Sequence, residues 1–134
     1  MSRKTDSNNP AHWLEIAAND LAGVRALVKQ RLGFTMCQSK LAEILEKILK
    51  AELIRVGWSL EKTHDLERLR KELQSRDAAL GQSLESLCIS LAEAYFAGRY
   101  PGFDLEDEDW PGLRVQLDQV VQVFATVQAR VTPK

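Results

Sequence analysis

This sequence is short of the residues that interrupt helices, cross-link chains or bind metals. Its 134 residues include 4 prolines, 7 glycines, 2 cysteines and 2 histidines. With so few prolines and glycines, long uninterrupted helices can form. No apolar run approaches the roughly 20 residues that span a bilayer, and the polar first ten residues lack the apolar core of a signal peptide. We therefore expect a cytoplasmic protein that does not insert into a membrane.

The scarce cysteines and histidines also give no sign of a metal or cofactor. Cys37 and Cys88 lie within helical apolar patterns and lack metal-type spacing. We interpret both as small buried hydrophobic residues in preference to a disulfide. The chain contains no glycine-rich phosphate loop and no paired-histidine zinc motif. No cofactor and no metal site is expected.

The net charge of −1 gives no general attraction to nucleic acid, but the charge is unevenly divided. Residues 1–76 hold 14 basic and 10 acidic residues, whereas residues 77–134 hold 4 and 9. Such a division favours a basic side and an acidic side, which would steer an anionic ligand or self-association. Scattered, solvated charges are an equally good interpretation.

Helical periodicity dominates the chain, and no convincing strand pattern is present. The predicted helices cover residues 10–32, 35–56, 65–75, 78–97 and 111–131. Short connections between long helices predict antiparallel neighbours. The fold class is therefore all-α, an antiparallel up-down bundle of four to five helices over residues 10–131. Residues 1–9 are predicted to be a disordered tail and residues 132–134 a second tail.

Local signals set the expected helix ends. Asn9 and Pro10 suit the cap and the first residue of the first helix, and Gly33 is predicted to end it in a left-handed conformation. Thr35 and Gln38 predict a capping box for the second helix. That helix carries apolar residues on more than one face, which indicates a central position. In the first helix the inward-facing stripe is predicted to include Trp13, Ile16, Ala17, Leu21, Val24, Leu27 and Val28.

A cationic, titratable patch is the most informative functional signal. Lys47 and Lys50 are three residues apart and so share one helix face, and a later loop supplies His64 and Asp65. These residues favour binding a phosphate-bearing ligand more than they favour catalysis. The alternatives are lysines that stabilise the helix through i,i+4 pairs with glutamates, and a helix start that Thr63 or Asp65 simply caps.

Arg99 and Tyr100 follow the fourth predicted helix and precede a proline turn. Arg99 can contact a phosphate or partner through its planar guanidinium, or bond the last carbonyls of its own helix. Tyr100 is better explained by packing than by catalysis. The acidic run that follows, at Asp104, Glu106, Asp107, Glu108 and Asp109, lacks the spacing of a calcium loop and fits a solvated loop before a helix.

Taken together, four segments resemble the HEPN domain family, named for nucleotide binding in higher eukaryotes and prokaryotes. They are Asp20-Leu21, residues 46–51, Thr63-His64-Asp65-Leu66 and residues 99–102. The resemblance extends from about His12 to Val131. It implies a helical bundle that is usually a homodimer and is often encoded beside a small nucleotidyltransferase, with nucleotide or RNA as ligand.

The resemblance also allows a test for catalysis. Many members of the wider superfamily are ribonucleases with an arginine followed, four to six residues later, by a histidine. After Arg99 those positions hold no histidine, and neither His12 nor His64 has an arginine at the required distance before it. The usual general acid/base group for metal-independent RNA cleavage is thus missing.

Two hypotheses follow from these observations. The leading one is a dimeric, non-catalytic module that binds a nucleotide or a partner nucleotidyltransferase, within a toxin–antitoxin pair. Its phosphate-binding residues would be Lys47, Lys50, His64 and Arg99, supported by Asp20, Asp65 and Tyr100. The alternative is an atypical ribonuclease toxin that uses Arg99, Tyr100 and His64.

Overall fold

Six α-helices make up most of the part of the chain that the structure describes. The structure is a computed structural model that describes residues 4–97, 101 and 107–132, and of residues 95–97 it describes the backbone alone. The helices are α1 (Pro10–Gln30), α2 (Phe34–Arg55), α3 (Leu66–Gln74), α4 (Ala78–Ser83), α5 (Glu85–Ala97) and α6 (Trp110–Val131). Those described ranges contain no strand, so the predicted all-α fold is confirmed.

The start of α1 is as predicted. The side chain of Asn9 accepts a hydrogen bond from the backbone N–H of Ala11 at 3.0 Å, and Pro10 is the first helical residue. The chain just before the helix also contacts it, because the indole N–H of Trp13 donates to the carbonyl of Ser7 at 2.8 Å. Asn9 thus satisfies an otherwise unpaired amide, and Trp13 ties residue 7 to the helix.

The link between α1 and α2 differs from the prediction. The left-handed residue that ends α1 is Arg31 (φ 55°), and the next backbone N–H, of Leu32, donates to the carbonyl of Leu27 at 3.0 Å. Gly33 (φ 65°) instead precedes α2 directly, and no side chain caps that helix. The capping box at Thr35 is therefore wrong. Because α1 closes its own end at Arg31, only three residues are left for the link, and Thr35 already lies inside α2.

Helix α2 is the central element, as its several apolar faces predict. It packs against α1, α3, α5 and α6. Its fully buried side chains include Leu41, Ile44, Leu45, Ile48, Leu49 and Leu53. In α1 the predicted stripe needs one correction, because Ile16 is exposed and Leu14 is buried. The buried face runs through positions 14, 17, 21, 24 and 28, towards α2 and α6, and position 16 lies outside it.

The fourth predicted helix is divided in two at Leu84, where α4 ends and α5 begins. The carbonyl of Gly81 accepts hydrogen bonds from the backbone N–H of Leu84 and from the buried guanidinium of Arg70, both at 3.3 Å. These bonds depart from the regular α-helical pattern, in which a carbonyl accepts from the backbone N–H four residues later. The apolar spacing of residues 80, 84, 87 and 91 continues across the break, so the sequence pattern does not reveal it.

Helix α6 closes the bundle against α1 and α2. It begins at Trp110, one residue before the prediction, and the Asp109 side chain caps it by accepting from the backbone N–H of Gly112 at 2.9 Å. The ring of Trp110 meets that of Phe34 edge-on, with centroids 5.2 Å apart, which fixes the start of α6 against the start of α2. Among the described residues, none of the helices has both the length and the apolar character needed to cross a membrane.

Candidate functional site

Glu46 lies at the middle of a chain of charged contacts on α2. This side chain is buried, with 8% of the residue exposed. Its Oε2 is 3.0 Å from Nζ of Lys50, one helical turn further along α2. Its Oε1 is 2.9 Å from Nδ1 of His64, which stands in the loop before α3. One buried carboxylate thus joins the central helix to the histidine-bearing loop.

The contact with Glu46 also fixes the chemistry of the imidazole. A carboxylate only accepts hydrogen bonds, so Nδ1 of His64 carries the hydrogen and donates it. The remaining nitrogen, Nε2, has no hydrogen-bond partner among the described residues. It accepts a hydrogen bond when the ring is neutral and donates one when the ring is protonated. Because 75% of the His64 side chain is exposed, Nε2 can reach a ligand.

Lys50 is held inside the protein and does not present its charge to solvent. Only 4% of the residue is exposed, and its ammonium lies 5.4 Å from the centre of the Trp13 ring on α1. A cation above an aromatic face is stabilised by the ring's electron density. Lys50 therefore compensates the charge of Glu46 and acts on any ligand only through that residue.

Lys47, the other lysine of the predicted patch, points to a different carboxylate. Its Nζ lies 3.7 Å from Oδ2 of Asp20 on α1, and both side chains are partly exposed. This pair joins α1 to α2 near Glu46 but remains open to solvent. The structure thus brings Lys50 and His64 together on Glu46, and places Lys47 beside Asp20.

A cavity of about 440 Å³ lies where α2, α5 and the loop before α3 meet. Its volume falls within the range of small-molecule sites, roughly 300–1,000 Å³. The lining residues are Ala42, Glu43, Glu46, Lys62, Thr63, His64, Asp65, Leu66 and Ala92. Of the predicted binding residues, His64 lines it directly and Lys50 stands behind Glu46.

Asp65 has a structural role at the edge of this cavity. Its side chain accepts from the backbone N–H of Arg68 at 3.2 Å, which caps α3 as one of the predicted alternatives requires. The hydroxyl of Thr63 accepts from the backbone N–H of Asp65 at 3.2 Å. A carboxylate of the protein therefore occupies the helix end that would otherwise attract an anion.

The remaining predicted site residues, Arg99 and Tyr100, lie outside the described residues, as do Asp104 and Glu106 of the acidic run. In the sequence, Arg99 comes two positions after Ala97, the last residue of α5. The same helix contributes Ala92 to the cavity wall.

Sequence reasoning missed Glu46 as the centre of the site, along with Lys62 and the alanines of the cavity wall. Glu46 belongs to the segment that carries the family resemblance, but its spacing indicates only an i,i+4 pair with Lys50. The contact with His64 joins residues 18 positions apart and depends on how α2 packs against α3. The sequence points to this contact only in that Glu46 and His64 both belong to the segments that carry the family resemblance.

A second buried carboxylate is better explained by structure than by function. Glu52, with 1% exposed, contacts the guanidinium groups of Arg55 and Arg130. Arg130 also bonds Asp77 at 3.0 Å, which ties the end of α6 to the start of α4. These residues do not line the 440 Å³ cavity or the smaller one of about 260 Å³ between α4 and α6. Within the described ranges no group of three metal-type side chains comes together.

The fold and this site define a class of protein: an all-α bundle whose central helix offers a buried carboxylate to a histidine-bearing loop beside a small-molecule cavity. The family model for the HEPN domain matches residues 11–121, and the chain belongs to this family. Membership indicates a function related to nucleotides or RNA. No curated protein and no solved structure matches the chain significantly.

Proposed function

We propose that this protein is a dimeric HEPN module that binds a nucleotide and pairs with a nucleotidyltransferase, as the non-catalytic half of a toxin–antitoxin system. The observation that carries the proposal is the Glu46–His64 contact of 2.9 Å at the wall of the 440 Å³ cavity. It fixes a hydrogen-bonding imidazole at a site large enough for a small ligand. We propose further contacts from Arg99 and Tyr100, which follow α5 in the sequence, whereas Lys47 is paired with Asp20 outside the cavity lining.

Isothermal titration calorimetry with ATP and GTP tests the binding claim. We expect heat of binding for the wild type and at least a tenfold weaker Kd for His64→Ala, because the variant removes the imidazole that lines the cavity. The matched control is His12→Ala, since His12 is the second histidine of the chain and lies on α1, outside the cavity lining. An equal loss in both variants, or no heat with the wild type, contradicts the proposal.

The dimer and its partner require separate measurements. Analytical ultracentrifugation of the purified protein should give twice the mass of one chain, 15.1 kDa each. If a nucleotidyltransferase is encoded beside this chain, co-expression of the two should yield a complex that survives size-exclusion chromatography. A monomer at all concentrations would contradict the proposed dimer, and the absence of a complex would contradict the proposed partner. Only the nucleotide-binding part of the proposal would then remain.

One observation favours the alternative of an atypical ribonuclease. A histidine whose Nδ1 donates to a carboxylate and whose Nε2 is accessible has the arrangement of a general base. In this function His64 would act with Arg99 and Tyr100. Expression of the protein alone in a bacterium separates the two functions, because growth arrest and RNA decay that disappear in both Arg99→Ala and His64→Ala would establish the ribonuclease.

A further inference from the structure

We propose that the cavity takes a nucleoside monophosphate with its base inserted between α2 and α5 and its phosphate outside, next to Lys62. This inference rests on the proposed function and names the ligand class for the same site. It follows from the small side chains of the cavity wall, the charges around the cavity and the position of its polar edge.

Beside the carboxylates of Glu43 and Glu46, the wall formed by the helices has apolar positions with short side chains. α2 contributes Ala42 and α5 contributes Ala92, while Leu66 from the first turn of α3 adds a third apolar surface. α2 and α5 are packed neighbours, so an alanine on each leaves space that a longer side chain would fill. A space of this kind between two helices suits a flat ring, and burying its faces there is favourable.

The charges around the cavity disfavour a polyphosphate inside it. Three carboxylates line the cavity, those of Glu43, Glu46 and Asp65. Lys40 pairs with Glu43 at 2.9 Å and Lys50 pairs with Glu46, whereas Asp65 caps α3. A triphosphate placed among these groups would experience repulsion at short range. An uncharged base would not.

The polar edge of the cavity is formed by the loop before α3. In it, Lys62 and His64, two positions apart, both line the cavity. Among the described residues the Lys62 ammonium forms no ion pair, so its charge is the one that a single phosphate can neutralise. Nε2 of His64, fixed by Glu46, is left to bond a polar edge of the base or the sugar.

A ligand panel tests the orientation. The probes are adenosine, guanosine, their monophosphates and triphosphates, the cytidine and uridine monophosphates, and inorganic tripolyphosphate, each titrated calorimetrically into the full chain. We expect at least one nucleoside to bind, its monophosphate to bind up to about fivefold more tightly through one exposed ion pair, and the triphosphate to bind no more tightly than the monophosphate. Inorganic tripolyphosphate should not compete.

Two variants with matched controls localise the binding. Ala92→Leu fills the space between the helices and should weaken nucleoside and monophosphate alike by at least tenfold, whereas Ala125→Leu, on the exposed face of α6, should change neither. Lys62→Ala should reduce the affinity for the monophosphate to that for the nucleoside. Lys71→Ala, on the exposed face of α3, should preserve the difference. If Ala92→Leu does not fold, the comparison of Lys62→Ala with Lys71→Ala still tests the proposed orientation of the ligand.

The outcomes separate this inference from the proposed function. If ATP or GTP binds but tripolyphosphate displaces it, or if Ala92→Leu folds and binds as the wild type does, nucleotide binding stands and the orientation proposed here is wrong. If no nucleoside or nucleotide binds, both are wrong.

Discussion

Glu46 is a carboxylate in the core, and such a group is tolerated only where partners compensate its charge. Lys50 and His64 provide that compensation from two different elements. Because Lys50 is itself buried, Lys50 and Glu46 depend on each other. Removing either one leaves the other as a buried charge without a counterion. The geometry that fixes His64 for ligand binding is thus also part of what holds α2 and the loop together.

Replacement of Glu46 by alanine should therefore destabilise the protein strongly. Glu46→Ala leaves the Lys50 ammonium buried and unpaired, and we expect the free energy of unfolding to fall by about 3–5 kcal/mol. Urea denaturation followed by circular dichroism measures this loss.

The control is Glu43→Ala, one turn earlier on the same helix, where the carboxylate pairs with the more exposed Lys40. A loss of about 1 kcal/mol or less is expected there. The double variant Glu46→Leu with Lys50→Met should recover much of the stability, since it removes both charges together. Equal losses for Glu46→Ala and Glu43→Ala would show that the buried charge pair does not contribute as proposed.

At the scale of elements, α4 shows how one close contact shapes a helix. A Cβ added at Gly81 would lie 2.5 Å from the backbone Cα of Gln74, so α4 approaches α3 at a distance that only glycine permits. The same approach brings the Gly81 carbonyl to the guanidinium of Arg70, where α4 ends. The close approach of α4 to α3 and the break between α4 and α5 therefore occur at the same residue, Gly81, and involve the same neighbouring helix.

Two of the helical glycines, Gly81 and Gly23, should respond oppositely to alanine. Gly81→Ala forces α4 away from the backbone of α3, and overpacking of this kind costs about 1–3 kcal/mol. At Gly23, on the exposed face of α1, nothing lies within 4 Å of an added Cβ. There alanine should stabilise by about 0.5–1 kcal/mol, because it lowers the entropy lost on forming the helix.

Thermal unfolding of both variants beside the wild type checks this pair of expectations. The direction of each change is the test, since the substitution is chemically the same. A stabilised Gly81→Ala would show that α3 and α4 are not in the close contact described.

Helix existence and type could be predicted well from this sequence, because apolar periodicity reports which face is buried. The predictions for α2, α3 and α6 depend on that signal and agree with the structure to within a residue or so. The ends set by tertiary contacts could not be predicted. Arg31 takes a left-handed conformation that favours glycine, and at the break near Leu84 the Gly81 carbonyl bonds a guanidinium from another helix.

Tertiary contacts also explain which parts of the candidate site could not be predicted from the sequence. Sequence spacing puts Lys47 and Lys50 on one face and indicates the i,i+4 pair of Lys50 with Glu46. The contacts that α1 supplies, Asp20 for Lys47 and the Trp13 ring for Lys50, could not be predicted from that spacing. The cavity is formed by α2, α5 and the loop before α3, three segments that no local pattern connects. A histidine in a loop could be identified from the sequence, whereas the carboxylate that orients it could not.

At the scale of the whole molecule, the charged contacts between helices tie the bundle together at its edges. Arg70 bonds Glu67 within α3 at 2.7 Å, and the same guanidinium reaches across to α4, where it donates to the Gly81 carbonyl at 3.3 Å. Arg130 on α6 bonds Asp77, the residue that caps α4. These contacts involve carboxylates in their ionised form, so the stability of the entire fold should depend on pH in the acidic range.

The structure determines the sign of that dependence. The backbone N–H of Leu80, and then the guanidinium of Arg130, lower the pKa of Asp77 below its ordinary value. The bond from Arg70 likewise lowers the pKa of Glu67. A carboxyl group whose pKa is lower in the folded state contributes stability above its unfolded pKa, about 3.9 for Asp and 4.3 for Glu. It loses that contribution as the pH falls through the folded value.

We therefore expect the free energy of unfolding to decrease as the pH falls from about 5 to about 2.5. In the double variant Asp77→Asn with Glu67→Gln, stability at pH 7 should be lower than in the wild type, and its decrease with falling pH should be shallower. The two curves should then approach each other at low pH, because the wild-type carboxylates become neutral there. Urea denaturation at five pH values measures both curves. Asp118→Asn serves as the control, since this exposed carboxylate of α6 has no partner among the described residues. Parallel curves for the wild type and the double variant would show that other groups cause the acid sensitivity.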